Sequence, residues 1–287
     1  KVYENFYLDK ETKEVDSTIR LFKNRKDIDK ICIMDGELPS ADDEIAIDRM
    51  YADNNKLKVG DSLTVGGKKL KITGLVALSD YSALYSNPSD MMFDALKFGV
   101  AIVTDTLFDD YGEADLHYSY SWKYDKTPAD DEEAQDMAEK VMKHINGFSM
   151  LTQFIPEYSN QAIHFTGDDI QGDNTMITVF LYLVMVIIAF VFAITTGNTI
   201  AKEANVIGTL RASGYTKGEL VRHYLATPMI VVLVSAIVGN ILGYTCFKEF
   251  AVKAYYGSYS LPTYKTIWNA DAFIKTTVVP LIILFVI

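Results

Sequence analysis

Residues Met176–Ile194 read MITVFLYLVMVIIAFVFAI and lie inside a run of 28 consecutive uncharged residues, 174–201. A helix rises about 1.5 Å per residue, so about 20 apolar residues span a hydrocarbon layer of about 30 Å. We therefore predict a membrane helix here rather than the buried core helix of a soluble protein. A second uncharged run covers 224–247, and a third occupies the last 12 residues. The predicted membrane helices are 174–201, 224–247 and 272–287, and the last is expected to continue beyond Ile287.

The charge of the chain changes sign at the start of the first membrane helix. The 287 residues together have a net charge of -11 and a mean hydropathy of +0.08, averages that suit an acidic soluble protein. Residues 1–173 hold 19 Lys and Arg and 34 Asp and Glu, whereas residues 174–287 hold 8 and 4. An acidic excess argues against nucleic-acid binding, because phosphate contacts need Lys and Arg. We therefore predict a water-soluble domain at 1–173 and a membrane portion at 174–287.

The acidic part has the pattern of a mixed α and β domain. Alternating residues predict strands at Tyr3–Leu8, Ser17–Lys23, Glu44–Met50, Gly99–Thr104 and Leu116–Tyr124. Gly66 and Gly67 separate two alternating runs and predict a hairpin with a primed turn. An amphipathic helix is predicted over Pro128–Asn146, with Gly147 at its end. The fold class is therefore an α+β domain attached to an all-α transmembrane helical portion.

Patterns typical of catalytic or metal sites are weak throughout the chain. The glycines at 60–67 lack the spacing of a phosphate loop, and a hairpin turn explains them better. The four histidines share no zinc-ligand spacing, and the acidic run 130–133 is more typical of a helix start than of a calcium loop. Cys32 and Cys246 lie in different parts of the chain, so no internal disulfide is expected. We expect no enzyme activity, metal or cofactor in this chain.

The most specific pattern is KEANVIGTLRASGYTKGELVR at 202–222, between the first two predicted membrane helices. Gly214 is suited to end one helix, and Thr216 with Glu219 has the spacing of a capping box that starts the next. One interpretation is a solvated helical hairpin loop. The other is a docking surface for a cytoplasmic partner, with apolar contacts from the side chains of Leu210, Tyr215 and Leu220.

Residues 198–222 resemble the signature of the FtsX/MacB-type ABC transporter permeases, which reads roughly Glu-Ile-Gly-x-Leu-Arg-Ala-x-Gly-x-Ser/Thr directly after a membrane helix. Val206 stands where that family usually has Glu. Three motifs of the acidic part are similar to the MacB-like periplasmic core domain of the same family: Gly36–Pro39, Asp43–Ile47 and Val59–Leu63. The chain resembles in particular the long permeases of Firmicutes.

The resemblance implies a permease subunit with a first helix before residue 1, an extracytoplasmic domain at 1–173 and three further helices. A separate cytoplasmic ABC ATPase would bind ATP, and the second helix would pass its motion to the outer domain. The substrate would be an amphiphilic peptide, lipoprotein or lipid. The alternative is a transmitter that regulates an extracellular cell-wall hydrolase or signalling partner. The resemblance assigns ATPase coupling to Glu203, Ile207, Gly208, Leu210, Arg211, Gly214, Tyr215 and Glu219.

The orientation of the predicted helices is left open by the positive charges. The loops 202–222 and 248–275 each hold four Lys or Arg, so the positive-inside rule gives no preference. The second loop is rich in aromatic residues that suit an outer interfacial belt: Tyr255, Tyr256, Tyr259, Tyr264 and Trp268.

A repeat of small residues marks one face of the second predicted membrane helix. Ser235, Gly239 and Gly243 recur every four positions, which allows another helix to approach closely. Packing within the chain and a dimer interface are both open interpretations. The expected partners are the ATPase, membrane lipid, and a second copy or an internal duplicate of the permease unit. Residues 1–173 are expected outside a cell membrane that the chain crosses several times.

Overall fold

The structure is a computed structural model that describes residues 1–88 and 90–286, without the side chains of residues 285 and 286. It divides into two compact units. The first contains Lys1–Asp169 together with Ala254–Lys265, and the second contains Ile170–Lys253 and the residues after Lys265. The sequence had placed the end of the first domain at residue 173 and had assigned 254–265 to the membrane portion. The reason for the difference is a set of contacts that 254–265 makes with residues of the first unit, described below.

A mixed β-sheet forms the centre of the first unit. The strands are β1 Val2–Glu4, β2 Tyr7–Glu11, β3 Thr18–Phe22, β4 Ile31–Gly36, β5 Glu44–Asp48, β6 Ser62–Val65, β7 Lys68–Leu78, β8 Phe98–Ile102, β9 Leu116–His117 and β10 Tyr120–Trp122. In the described part of the chain, the sheet order is β4-β7-β5-β8-β3-β2-β9, with β6 also on β7, and β1 pairs separately with β10. The β3/β8 and β5/β7 pairs are parallel and the others are antiparallel.

Three α-helices accompany this sheet: α1 Arg49–Asn54, α2 Asp105–Asp110 and α3 Asp131–Asn146. Each begins after a side chain that accepts a backbone N–H, which satisfies a donor that the helix itself leaves free. Asp130 does so for α3, so the acidic run 130–133 serves as a helix start. Gly147 ends α3 with a φ of -71°, without the left-handed conformation common at helix ends. The predicted mixture of helices and strands is confirmed.

The hairpin between β6 and β7 has the predicted turn. Gly66 and Gly67 both have positive φ, +53° and +83°, which a primed two-residue turn requires. Two other strand predictions were too simple. Residues 3–8 divide between β1 and β2, and residues 116–124 divide between β9 and β10, because the chain changes pairing partner in each stretch. The strand β4 and the helix α2 were not predicted.

The core of the first unit lies between the sheet and α1. Tyr51 of α1 is fully buried, and its hydroxyl is 2.6 Å from the Ser17 hydroxyl. A Cβ built on Gly99 would lie 2.6 Å from Cγ of Tyr51, so only glycine fits there. The strands β3, β5 and β8 are buried at nearly every position, so both faces of the sheet are covered there. Apolar side chains of these and neighbouring strands build the core. They include Leu8, Ile19, Leu21, Ile45, Ile47, Leu63, Ile72 and Val100.

The remaining elements are helical. They are α4 Gln161–Lys202, α5 Ala204–Ala212, α6 Lys217–Leu242, a π-helical turn Gly243–Phe247, α7 Lys248–Ser258, α8 Ala270–Phe273, a second π-helical turn Ile274–Val278 and α9 Val279–Val286. Among the described residues, two continuous helices are long and apolar enough to cross a membrane, namely 161–202 and 217–258. Phe180, Ile194 and Ile237 are each more than 60% exposed. Such exposure suits lipid and not a soluble core.

Polar contacts connect the third helical region, 270–286, to the two long helices. The Tyr182 hydroxyl of α4 donates to the Lys275 carbonyl at 3.0 Å. The Asn240 amide of α6 donates to Oγ1 of Thr277 at 3.0 Å, and Thr277 is 8% exposed. Side-chain hydrogen bonds of this kind stabilise helix pairs in an apolar medium by about 0.6–2 kcal/mol each.

Candidate functional site

The candidate site is the helical turn at 203–219, which the structure builds from α5, a four-residue connection and the first turn of α6. The sequence predicted a membrane helix at 174–201, and in the structure α4 ends at Lys202 and α5 begins at Ala204. Glu203 between them has φ -94° and ψ 11°. Its N–H still donates to Thr199 and its carbonyl accepts from Ile207, at 3.0 and 2.9 Å. The junction is therefore a kink with its backbone hydrogen bonds intact.

Gly214 ends α5 in the left-handed conformation, with a φ of +102°. The Tyr215 N–H donates back to the Leu210 carbonyl at 3.1 Å, and the Gly214 N–H donates to the Arg211 carbonyl at 3.2 Å. These bonds satisfy carbonyls that the helix end leaves free. The predicted helix stop at Gly214 is confirmed, and its steric cause is the positive φ.

The capping box at the start of α6 is complete. Oγ1 of Thr216 accepts a hydrogen bond from the Glu219 N–H at 3.3 Å, and the Glu219 carboxylate accepts from the Thr216 N–H and hydroxyl, both at 2.8 Å. The same pair was predicted from its spacing. Because both ends of the turn are fixed, α5 and α6 meet at a defined angle.

The side chains of this turn differ in exposure. Tyr215 is 50% exposed and Arg211 is exposed, whereas Ile207 and Leu210 are half-buried. Leu220 is only 8% exposed, so it packs within the chain and is not available as the predicted partner contact. The surface that remains open to a partner combines an aromatic ring, an arginine and part of a leucine. Glu203, Gly208, Gly214 and Glu219, also assigned to coupling from the resemblance, are exposed in the same turn.

One contact of this turn was missed by sequence reasoning. The Tyr224 hydroxyl of α6 donates to the Glu203 carboxylate at 2.5 Å. The assigned coupling residue Glu203 is thus held by the neighbouring helix. The sequence did indicate that the Tyr224 hydroxyl is available for such a contact. Tyr224 is the first residue of the uncharged run 224–247, and a tyrosine at a membrane boundary directs its hydroxyl towards water.

The small-residue face of α6 is open within the chain. Ser235, Gly239 and Gly243 are exposed, and apart from the backbone of the same helix no described atom comes within 4 Å of a Cβ built on either glycine. The described helices therefore do not fill this face, and its assignment to helix packing stays a prediction.

The predicted aromatic belt at 255–268 is only partly available to a membrane. Trp268 is 65% exposed and Tyr264 is 42% exposed, which suits an interface. Tyr259, assigned to the same belt, is 6% exposed because its ring packs against Phe93 and Phe165 inside the first unit. That assignment was wrong for Tyr259.

Comparisons with known proteins give a match for the membrane portion and a weak structural similarity. Within residues 1–88 and 90–286, no group of three or more His, Cys, Asp and Glu side chains is placed to hold a metal ion. No curated protein matches the sequence. One similar solved structure is the extracellular domain of the noncanonic ABC-type transporter YknZ from Gram-positive bacteria, with 14% identity and a TM-score of 0.30. The match covers 51% of this chain and 76% of that one.

The membrane portion gives a more specific match. Residues 178–287 match the family model described as FtsX-like permease C-terminal. This range contains the kink, the Gly214 turn and the capping box, together with all but the first part of α4. The resemblance predicted from residues 198–222 is confirmed, since residues 178–287 are similar to the C-terminal region of FtsX-like permeases.

Proposed function

We propose that the chain is the permease subunit of an ABC transporter of the FtsX/MacB type. It would pass the ATP-driven motion of a cytoplasmic ATPase to an extracellular domain, for export or extraction of an amphiphilic peptide, lipoprotein or lipid. The family match over residues 178–287 supports the permease assignment. The single observation that carries the coupling role is the turn at 203–219, fixed at both ends and placed between two helices of membrane-spanning length.

The path of the chain supports opposite locations for the turn and the first unit. The chain leaves the first unit after Asp169 along α4 and re-enters it at Ala254, at the end of the continuous helix 217–258. If both long helices cross the membrane, the turn at 203–219 lies on the side opposite to the first unit. Only Lys265 of the four lysines in 248–275 lies in 254–265, so the positive-inside rule still gives no preference. The resemblance to the permease family favours a location of the acidic unit outside and of the turn inside.

The turn has the properties of a contact that transmits force. The N–H groups of Gly214, Tyr215, Thr216 and Glu219 are bonded within the turn, and Glu203 is bonded to Tyr224, so α5 and the start of α6 would move together. Tyr215 and Arg211 are of the residue types that contribute most to the energy of protein interfaces. An ATPase bound there would displace both long helices at their inner ends.

The test uses the full-length protein, purified through a tag on the permease with its ATPase subunit co-expressed. We expect Leu210→Asp and Gly214→Pro to reduce the amount of ATPase recovered at least about tenfold, since one places a charge in the contact and the other breaks the turn. Tyr215→Ala removes only an exposed ring and checks that the loss is not caused by misfolding.

Gly218→Ala is the matched control, because nothing lies within 4 Å of a Cβ built there. ATPase recovery and activity that are unchanged in all three turn variants would contradict the proposal. Capture of an extracellular hydrolase by the first unit, without any exported substrate, would favour the regulatory alternative.

A further inference from the structure

Arg49, at the start of α1, binds the end of α7. Its Nη2 donates to the carbonyl oxygens of Tyr256 and Tyr259 at 3.0 and 2.7 Å. Its Nη1 donates to Asp53 at 2.8 Å, and its guanidinium carbon lies 5.0 Å from the centre of the Tyr256 ring. The Arg49 side chain is only 12% exposed. A cation at the last carbonyls of a helix both satisfies free acceptors and complements the helix dipole.

Ser260 forms a second set of bonds in the same place. Its N–H donates to the Ser82 carbonyl at 2.9 Å, and its hydroxyl donates to the Asp48 carboxylate. Ser260 and Asp48 are both fully buried. A buried carboxylate that loses a hydrogen-bond donor is destabilised, because nothing replaces its lost hydration. The bond from Ser260 to Asp48 therefore fixes the position of residues 254–265 strongly.

Tyr259 connects the same segment to the start of α4. Its ring centre lies 5.9 Å from that of Phe93 and 6.2 Å from that of Phe165. Its hydroxyl donates to Asp169 at 2.7 Å. Phe165 and Asp169 belong to the first turns of α4, which are part of the first unit. Two helices of the membrane portion are therefore attached to the sheet domain, one through the start of α4 and one through 254–265.

We propose that Arg49 and Ser260 form an anchor that fixes the outer end of the helix 217–258 to the sheet domain throughout the working cycle. The attachment is independent of the proposed function. Only the ATPase-driven motion that the anchor would pass on rests on that function. A domain held by one helix is free to swivel about that helix, and a second attachment removes this freedom. Because 217–258 is one continuous helix of 42 residues, about 60 Å long, a displacement at the turn 203–219 would reach the domain through it as well as through α4.

The attachment itself is tested by hydrogen exchange of the full-length protein in nanodiscs. We expect Arg49→Met and Ser260→Ala to accelerate exchange of the amides of Tyr259 and Ser260 about tenfold or more. Lys10→Met is the matched control. Lys10 is also 12% exposed and pairs with an exposed acid at 2.7 Å, whereas Arg49 pairs at 2.8 Å. Equal exchange in Arg49→Met, Ser260→Ala and Lys10→Met would overturn the anchor.

A disulfide tests whether the segment stays in place during the cycle. Oγ1 of Thr263 lies 4.0 Å from Sγ of Cys32 in β4. In a Cys246→Ser background, Thr263→Cys is expected to form an intrachain disulfide with Cys32 on mild oxidation. The crosslinked protein should keep its response to nucleotide. Absence of the crosslink, or loss of the response on crosslinking, would contradict a permanent anchor.

Transmission is read from the exchange of residues 1–169 in the complex with the ATPase, with and without a non-hydrolysable ATP analogue. We expect a nucleotide-dependent change in the wild type and in Lys10→Met that is at least halved in Arg49→Met and Ser260→Ala. If the variants respond like the wild type, the anchor does not pass on motion. If the wild type itself does not respond, the proposed function is wrong. The anchor is then judged only by the amide exchange of Tyr259 and Ser260.

Discussion

Asp48 has a carboxylate that burial makes sensitive to pH. One oxygen accepts a hydrogen bond from the Tyr51 N–H at 3.0 Å and the other accepts from Ser260. Burial raises the pKa of Asp48 from 3.8 to about 6, and the hydrogen bonds from Ser260 and Tyr51 oppose that rise. In the unfolded chain the group ionises near its ordinary value. Between about pH 4 and pH 6 the folded state therefore binds more protons, so stability falls as the pH rises through this window.

Replacing Asp48 by Asn is expected to remove the fall in stability between about pH 4 and pH 6. For a shift of about two pKa units, that fall corresponds to about 3 kcal/mol of unfolding free energy. Asn still caps α1, because its side-chain oxygen accepts from Tyr51. The measurement is unfolding of the full-length protein followed by Trp122 fluorescence in a Trp268→Phe background, from pH 4.5 to 7. Asp105→Asn, an exposed acid in the first turn of α2, is the control and should keep the wild-type slope. A slope that persists in Asp48→Asn would show that another group causes it.

Single residues also show what sequence reasoning can reach. Gly67 and Gly214 were predictable, because a positive φ excludes most other residues at a turn. Arg49 and Ser260 were not, since their partners lie 207 to 212 positions away and neither belongs to a motif. Every residue has a main-chain carbonyl, so the residue types at 256 and 259 do not indicate that an arginine binds there.

Among the elements, α6 depends on its capping box most directly. Thr216→Ala removes the hydroxyl that accepts from the Glu219 N–H, and an N-cap loss of this kind costs about 1 kcal/mol. We expect the amides of Glu219 and Leu220 to exchange about five times faster, measured by mass spectrometry in nanodiscs. Thr209→Ala is the control, because its hydroxyl only bonds back to Asn205 within α5. Similar exchange in the two variants would mean that tertiary contacts, such as those of Leu220, hold the start of α6.

The elements also differ in how much their own sequence determines. The long apolar helices were predictable because lipid requires about 20 apolar residues and internal hydrogen bonds. The hairpin of β6 and β7 follows from local turn chemistry. The strand β4 was missed because its position at the edge of β7 depends on pairing across the sheet. The kink at Glu203 has no Gly or Pro to mark it, and the Tyr224 hydroxyl that binds the Glu203 side chain lies on another helix.

The whole molecule combines an acidic sheet unit with a helical portion, and the chain passes from the first to the second, back to the first and again to the second. Residues 254–265 return to the sheet unit after the second long helix, an arrangement that charge counts did not reveal. The start of the helix 161–202 and the end of the helix 217–258 both belong to the acidic unit. In the proposed orientation, both helices therefore cross the membrane. The turn at 203–219 and the exposed residues of the sheet unit face different solutions in this orientation.

This opposition predicts the labelling of single cysteines in intact cells. In a Cys32→Ser, Cys246→Ser background, Tyr118→Cys places a thiol at a position that is 64% exposed in the sheet unit, and Tyr215→Cys places one in the turn at a position that is 50% exposed. A membrane-impermeant maleimide is expected to label position 118 in intact cells and position 215 only after permeabilisation. The background protein without either thiol is the control for labelling of other proteins. Labelling of position 215 from outside would reverse the orientation, and the turn could then not contact a cytoplasmic ATPase.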